Sequence, residues 1–249
     1  MHDTPSFSDH FSSQAADYER HRPGYPPELF GFLAGVAPAR DRALDVATGN
    51  GQAATGLAEH FAAVLATEPS EAQLVRARRH PRVQYARGTA EQVDAPDASF
   101  DLVTAAQAAH WFDADRFYAE ARRVLRPGGV LAVWTYSLFR AGAAVDAVVA
   151  DFYRNVVGPY WPRERWQVEE GYARLPFPLP EIDAPAFALQ TDWRWEQALA
   201  YVGTWSAVAR YRQLRASDPL RLLEPPLRAA WGEASRTVHR PLHLRVGRN

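Results

Sequence analysis

Two closely spaced glycines mark the first stretch of the sequence that could bind a ligand. Gly49 and Gly51 follow an apolar run in the segment Leu44-Asp-Val-Ala-Thr-Gly-Asn-Gly-Gln52. Glycines between a strand and a helix let a ligand approach the backbone closely and meet exposed N–H groups. The spacing Gly-x-Gly-x-x-Ala54 alone is a weak fingerprint, because a purely structural tight turn produces it too.

Two acidic residues narrow the choice of ligand. Glu68 ends the next predicted strand, where a carboxylate can accept from two ribose hydroxyls, as in dinucleotide folds. Asp45 stands four residues before Gly49, where it would repel a pyrophosphate but could pair with an ammonium group directly or through water. S-adenosylmethionine carries an ammonium group and no phosphate. The pattern therefore favours this cofactor over NAD.

Short β-rich stretches alternate with helix-length amphipathic ones between residues 42 and 135. The pattern predicts strands at 43–47, 63–67, 83–87, 100–106 and 130–135, with helices at 51–60, from Ser70, and at 113–125. Ser70 and Gln73 form a capping-box start, and Arg126-Pro-Gly-Gly129 is a stop signal. Strands separated by helices imply right-handed crossovers. The predicted fold class is therefore α/β, a mostly parallel sheet with helices on both faces.

Several motifs in this order resemble the class I S-adenosylmethionine-dependent methyltransferases. Besides the glycine loop and Glu68, they are Gly88-Thr-Ala-Glu91, Phe100-Asp-Leu-Val103, Ala109-His-Trp-Phe-Asp113 and Leu125-Arg-Pro-Gly-Gly-Val-Leu131. A narrower likeness is to the type-11 small-molecule group and its trans-aconitate methyltransferase-like branch. It is carried by Tyr18, Arg22-Pro-Gly-Tyr-Pro26, Gln107-x-x-His-Trp111 and Thr204-Trp-Ser206. The resemblance implies a Rossmann-like sheet of seven strands with an antiparallel last strand.

The resemblance also implies a set of residues that bind S-adenosylmethionine. The methionine end would be held by Asp45, Gly49, Gly51 and Gln52, the ribose and adenine by Glu68 and Pro69, and the adenine edge by Thr89, Ala90 and Glu91. Tyr18 and Arg22 would close over the methionyl carboxylate. Two positions depart from the family pattern: Ala47 replaces the usual first glycine of the loop, and Thr89 stands where Asp or Asn often meets the adenine.

Candidate catalytic and acceptor-binding residues follow the fourth strand and lie late in the chain. Gln107 and His110 are the catalytic candidates, and Gln107 is also a candidate to bind the cofactor. His110 could orient or deprotonate the acceptor, or serve only as a satisfied histidine at a helix entry. Trp111 could face the sulfonium or seal the core. Arg194 or Arg210 could bind an acceptor carboxylate, although most arginines of this region suit a solvated helix face.

The chain is expected to form one domain over residues 1–249. Residues 1–136 would form the cofactor-binding core, and residues 137–233 a lid that covers the acceptor and includes a strand at about 186–193. Helices are expected at 196–214 and 219–233, and a terminal strand of the core sheet at 237–246. The aromatic residues of the lid at Trp193, Trp195, Tyr201 and Trp205 are assigned to core packing.

Composition excludes several kinds of chemistry. The chain has no cysteine, which excludes disulfides, thiol catalysis and Cys-ligated zinc. All 28 basic residues are arginine, and the formal net charge is −1, which argues against nucleic acid as a partner. His239 and His243 are too far apart along a strand to share a metal ion. We expect no metal and no membrane partner, a cytoplasmic location, and leave the oligomeric state open.

The function expected from these patterns is methyl transfer from S-adenosylmethionine to a small molecule, with carboxyl O-methylation of a small organic acid as the specific hypothesis. Two alternatives stay open at this point. An NAD-dependent oxidoreductase could use the same glycine loop and Glu68, although Asp45 argues against it. A non-catalytic cofactor-sensing module on the same fold is excluded by no motif.

Overall fold

The computed structural model describes residues 24–249. Tyr18 and Arg22, two of the expected cofactor-binding residues, lie outside the described residues.

Seven strands form one sheet in the order β3-β2-β1-β4-β5-β7-β6. Their bounds are β1 Arg42–Val46, β2 Ala63–Glu68, β3 Val83–Arg87, β4 Phe100–Ala106, β5 Leu125–Tyr136, β6 Phe187–Trp193 and β7 Arg236–Arg248. Strands β1 to β5 pair in parallel, and β7 runs antiparallel to both β5 and β6. The predicted seven-stranded, mostly parallel sheet with an antiparallel last strand is confirmed.

Helices pack against both faces of this sheet and also form most of the chain that covers one of its edges. The α-helices are α1 Pro27–Val36, α2 Gln52–Ala58, α3 Glu71–Val75, α4 Ala114–Val124, α5 Ala143–Asp151, α6 Arg165–Glu169, α7 Trp195–Gly203, α8 Ser206–Arg215 and α9 Leu220–Trp231. A π-helical turn at Phe152–Val156 follows α5, and 3₁₀ turns lie at Ala109–Trp111 and Gly158–Tyr160. Side chains cap two of the helices: Ser70 accepts from the backbone N–H of Gln73, and Asp113 from that of Arg116.

The structure differs from the sequence-based elements at two places. Strand β5 begins at Leu125 and not at residue 130, because Leu125 pairs with Phe100 of β4 and the backbones of Gly128 and Gly129 bond to Asn249. The helix expected over 196–214 is two helices, since the hydroxyl of Thr204 donates to the carbonyl of Tyr201 where α7 ends. Tertiary pairing and a local side-chain bond override the helical and turn propensities there.

Three apolar clusters hold the molecule together. One face of the sheet packs on α1 and α2 through Leu29, Leu33 and Leu57, and the other packs on α4 through Phe117 and Val124. The third cluster belongs to residues 139–238, where buried aromatic and aliphatic side chains of α5, α7, α8 and α9 pack together. The chain that covers the sheet edge therefore has a core of its own.

Within residues 24–249, none of the helices is long and apolar enough to cross a lipid bilayer. The same residues contain no group of three His, Asp or Glu side chains placed to hold a metal ion.

Candidate functional site

A cavity of about 570 Å³ opens at the carboxyl ends of the parallel strands. This edge is where open α/β sheets bind ligands, and the volume falls in the range of small-molecule sites. The loops after β1, β2, β3 and β4 contribute to its wall, together with the last residue of β5 and residues 161–165 and 201–206. Because the sheet order places β1–β3 on one side and β5 on the other, the cavity has two differently built ends.

The first end, called here the glycine-loop end, is formed by residues 47–50, 52–53, 68–70, 73 and 89–92, so Gly51 itself does not line the cavity. Gly49 and Gly51 both adopt left-handed backbone, with φ of 59° and 83°. A side chain at Gly51 would collide with the Tyr85 ring, whereas the space beside Gly49 is open. Ala47 lines the cavity and is also left-handed, with φ of 51°. The loop therefore keeps a glycine-like conformation at a position where an alanine is strained.

Glu68 ties the loop to strand β2. Its Oε2 accepts from the backbone N–H of Gly49 at 2.9 Å and its Oε1 from that of Ser70 at 3.0 Å. The Gly49 amide, expected to meet the ligand, is therefore committed to the protein. Glu68 also lines the cavity, and a carboxylate can accept from hydroxyl donors.

Two side-chain amides of the loop match a ligand rich in acceptors. Asn50 Nδ2 and Gln52 Nε2 are buried, and no described residue accepts a hydrogen bond from either nitrogen. Both residues line the cavity. Buried donors are normally paired, so these two amides suit carboxylate or hydroxyl oxygens of a bound molecule. Together with Glu68 they fit the carboxylate and ribose of S-adenosylmethionine.

Asp45 does not line the cavity, which corrects the expectation that it pairs with the ligand's ammonium group. Its carboxylate is fully buried and accepts from the hydroxyls of Thr48 at 2.5 Å and Thr104 at 2.7 Å. Burial raises the pKa of Asp45 to about 6, against the opposing effect of these hydroxyls. Asp45 thus holds the end of β1 against the loop and the neighbouring strand β4.

The remaining cofactor candidates also lie on this wall. Pro69, Thr89, Ala90 and Glu91 line the cavity, with Thr89 in an isolated bridge to Gln92. Glu91 accepts from the backbone N–H of Asp113 at 3.1 Å, just before α4 begins. This bond places a negative charge at the start of α4, where it complements the helix dipole, and it also fixes the carboxylate at the rim.

His110 and Gln107 lie between the two ends of the cavity, and both line it. His110 Nδ1 is 2.9 Å from the hydroxyl of the buried Tyr172. Burial, with a smaller effect of Arg165, lowers the pKa of His110 to about 3. The imidazole is therefore neutral at physiological pH and a poor proton acceptor, which favours an orienting role over a general base.

Gln107 is held in a strained backbone conformation. It has a φ of 58°, uncommon for a residue with a long side chain. Its amide group is fixed at both atoms: Nε2 donates to the carbonyl of Tyr136 at 3.2 Å, and Oε1 accepts from Thr135 at 3.0 Å. Strain of this kind clusters at functional sites.

The second end, called here the aromatic end, is walled by rings. It comprises Trp111 and Phe112 after β4, Tyr136 at the end of β5, and Trp161, Arg165, Tyr201 and Trp205 of the covering chain. Trp111 lies on the cavity wall and is 37% exposed, so it is not sealed into the core. The rings of Trp161 and Trp205 pack 5.7 Å apart.

One arginine of this end is positioned by its neighbours. The Arg165 guanidinium lies 4.5 Å from the Trp161 ring, and its Nε donates to the hydroxyl of Tyr153 at 2.9 Å. Tyr153 belongs to the π-helical turn and donates in turn to Glu169 at 2.6 Å. No described residue accepts a hydrogen bond from the two terminal nitrogens of Arg165, which leaves its paired donors for a ligand.

Arg194 and Arg210 lie outside the cavity, which corrects their assignment to the acceptor. Arg194 is half exposed and faces Glu196 at 3.6 Å and Glu233 at 3.9 Å, while Arg210 is on the exposed side of α8. Arg165 is the residue that sequence reasoning missed. In the sequence, Arg165 is marked by nothing except its position after the aromatic Tyr160-Trp-Pro162 stretch. Its contact with the cavity depends on how α6 packs.

Comparison with known proteins identifies relatives along nearly the whole chain. A family model described as a methyltransferase domain matches residues 44–133. A Dictyostelium discoideum protein whose name places it among methyltransferases is 32% identical over 233 residues, 92% of this chain and 89% of that protein. The solved structure of a type II methyltransferase from Anaeromyxobacter dehalogenans is 51% identical, with a TM-score of 0.85 over 91% of this chain and 97% of that chain. The 27-O-demethylrifamycin SV methyltransferase of Amycolatopsis mediterranei is 37% identical over 127 residues, 46% of each protein.

Proposed function

Since the chain belongs to the class I S-adenosylmethionine-dependent methyltransferases, we propose that it methylates a small molecule, and specifically a carboxyl oxygen of a small organic acid. One observation carries the proposal. A single cavity joins a glycine-loop end with orphaned amide donors to an aromatic end with the arginine Arg165. The first suits the cofactor and the second an acceptor.

The residues at the glycine-loop end would hold S-adenosylmethionine. Asn50 and Gln52 offer donors for its carboxylate, and Glu68 offers acceptors for its ribose hydroxyls. Pro69, Thr89 and Ala90 would flank the adenine. When bound, this cofactor supplies a methyl group that is already activated by a positively charged sulfur.

The chain's own residues then have to align the acceptor and exclude water. Aromatic side chains on the cavity wall give the acceptor a dry surface. Arg165 would fix a carboxylate by a bidentate pair, which orients the reacting oxygen. A carboxylate is already deprotonated at neutral pH, so the low pKa of His110 is no obstacle. His110 and Gln107 would position the acceptor without taking a proton.

The relatives support a small acceptor. The name of the Amycolatopsis mediterranei protein describes methylation at an oxygen of rifamycin, a small molecule, and the alignment with this chain covers 46% of that protein. The resemblance of the 107–111 segment to the trans-aconitate branch adds the expectation of an organic acid.

A binding experiment tests the cofactor. S-adenosylhomocysteine at about one hundred times its dissociation constant should stabilise the native state by about 2.7 kcal/mol, which is several degrees in Tm for a protein of this size. NADH should leave the Tm unchanged. Protection by NADH without protection by S-adenosylhomocysteine would overturn the proposal in favour of an oxidoreductase.

A second experiment tests the acceptor alone. Small carboxylic acids are incubated with methyl-labelled S-adenosylmethionine, and the product is treated with mild base. We expect label that base releases as methanol, as a methyl ester requires. Label retained on nitrogen or carbon would reject the carboxylate acceptor while leaving the methyltransferase assignment intact.

A further inference from the structure

Arg240 lies on the buried face of β7, where the alternating pattern of the strand otherwise has apolar residues. Val238 and Leu242, two residues before and after it, are buried on the same face of the strand. Arg240 lies between them and is 1% exposed. Fully buried arginines are rare unless they are paired, so this residue conflicts with its surroundings. Such conflicts are expected at functional sites.

Aromatic faces are the contacts that the structure gives to this cation. The guanidinium lies 4.7 Å from the ring centres of Trp193 and Tyr201 and 5.6 Å from that of Tyr136. Its Nε, Nη1 and Nη2 are all buried, and within residues 24–249 none of them has a hydrogen-bond partner. The rings attract the cation but do not neutralise it. Among the described residues, this interior positive charge is therefore without a hydrogen-bonded carboxylate.

This charge lies directly behind the aromatic end of the cavity. Tyr136 and Tyr201, two of the three rings against Arg240, line that end. Tyr136 is the last residue of β5 and pairs with Leu242, which places Arg240 at the same sheet edge as the cavity. The acids that line the cavity, Glu68, Glu91 and Asp113, belong to the loops after β2, β3 and β4.

We propose that Arg240 is a specificity-determining residue that makes the aromatic end select a planar, apolar molecule carrying one negative charge. The proposal rests on the proposed function, because it takes this end as the acceptor site. Aromatic walls favour a planar body, and a charge in a weakly polar interior acts at longer range than one in water. Arg240 would act through the tyrosine walls, whereas Arg165 lines the cavity itself.

The test compares an anion with its neutral isostere. 2-Naphthoate and 2-naphthamide are titrated by calorimetry into the wild type, Arg240→Met and Arg194→Met, each with and without S-adenosylhomocysteine. In the wild type we expect naphthoate to bind more tightly than naphthamide. Arg240→Met should reduce this preference about tenfold by weakening naphthoate alone. Arg194→Met removes an arginine outside the cavity and should leave the preference unchanged.

Further variants separate the charge from the shape of the side chain. Arg240→Lys keeps the charge and should retain most of the preference for naphthoate, and Arg240→Met should be at least as stable as the wild type to urea, since an unpaired buried cation is removed. Should Arg240→Met not fold, Arg165→Met keeps the proposal falsifiable, because Arg240 is intact there and some preference for naphthoate must remain.

Three results would overturn the proposal: no detectable binding of naphthoate to the wild type, an unchanged preference in Arg240→Met, or equal losses in the Met and Lys variants. The arms without S-adenosylhomocysteine keep this outcome separate from the cofactor. If S-adenosylhomocysteine fails to bind while the naphthoate preference follows Arg240, the proposed function fails and the anion site stands.

Discussion

Each end of the cavity has an ionisable side chain buried behind its wall, and the two side chains differ in their hydrogen-bond partners. Asp45, behind the glycine-loop end, accepts hydrogen bonds from Thr48 and Thr104. Arg240, behind the aromatic end, is held by ring faces and has no hydrogen-bond partner among residues 24–249. The carboxylate behind the first end is therefore hydrogen-bonded by its own chain, whereas the cation behind the second end has no hydrogen-bonded carboxylate among residues 24–249.

The same contrast appears in the residues that line each end. At the glycine-loop end Glu68 binds two backbone amides of its own chain, so the shape of the loop is set before a ligand arrives. At the aromatic end, Arg165 donates one hydrogen bond to Tyr153, and the walls are aromatic rings from segments that are distant in the chain. Changes at one end should therefore leave binding at the other nearly unaffected.

Asp45→Asn should change how stability depends on pH. The folded-state pKa of about 6 lies above the ordinary 3.8. Between these values the unfolded state ionises and the folded state does not, so the wild type loses about 3 kcal/mol relative to the variant as pH rises from 3 to 7. Urea unfolding of both proteins at the two pH values measures this difference. A stability difference that does not vary with pH would show that Asp45 is not buried as described.

Glu68→Ala should weaken S-adenosylhomocysteine binding about one hundredfold. The change removes the acceptor for the ribose and the two amide bonds that shape the loop, each charge-assisted bond contributing about 1.5–3 kcal/mol. Calorimetry measures the affinity, with Glu71→Ala, an exposed acid in the first turn of α3, as the matched control. An unchanged affinity in a folded variant would mean that the ribose binds elsewhere.

Arg165→Met should weaken 2-naphthoate about tenfold and change the affinity for S-adenosylhomocysteine less than twofold, because the arginine lines the aromatic end alone. Arg163→Met, an exposed arginine two residues earlier, is the control for charge and composition. Equal losses of affinity for both ligands would show that the two ends of the cavity do not bind independently.

Ala47→Gly should stabilise the protein by up to about 1 kcal/mol, the smallest effect expected here. Its φ of 51° strains an alanine by about 1–2 kcal/mol, of which the greater freedom of glycine in the unfolded chain offsets part. Urea unfolding measures the change. Ala119→Gly, on the exposed side of α4, should instead destabilise by about 1 kcal/mol. Destabilisation at both positions would show that the loop does not need left-handed backbone at residue 47.

Local signals in the sequence were sufficient for most of the sheet. Strands β1 to β4 lie within one residue of the expected ranges, because short apolar runs between turn residues are a local signal. The backbone N–H of Gln73 donates to the Ser70 hydroxyl, as the predicted cap requires. The early start of β5 at Leu125 was missed, since its Pro-Gly-Gly segment is drawn into the strand by backbone bonds to the distant Asn249.

Residues close together in the chain were enough to predict the glycine loop, the acid that ends β2, and the family. That Asp45 faces Thr104 and not the cavity, and that Arg165 takes the place given to Arg194 and Arg210, depends on the packing of distant segments. The alternation of apolar and polar residues along β7 already places Arg240 on the same face as Val238 and Leu242. That it meets three rings and no described carboxylate depends on β5, β6 and α7 packing together, and contacts between distant segments leave no local pattern.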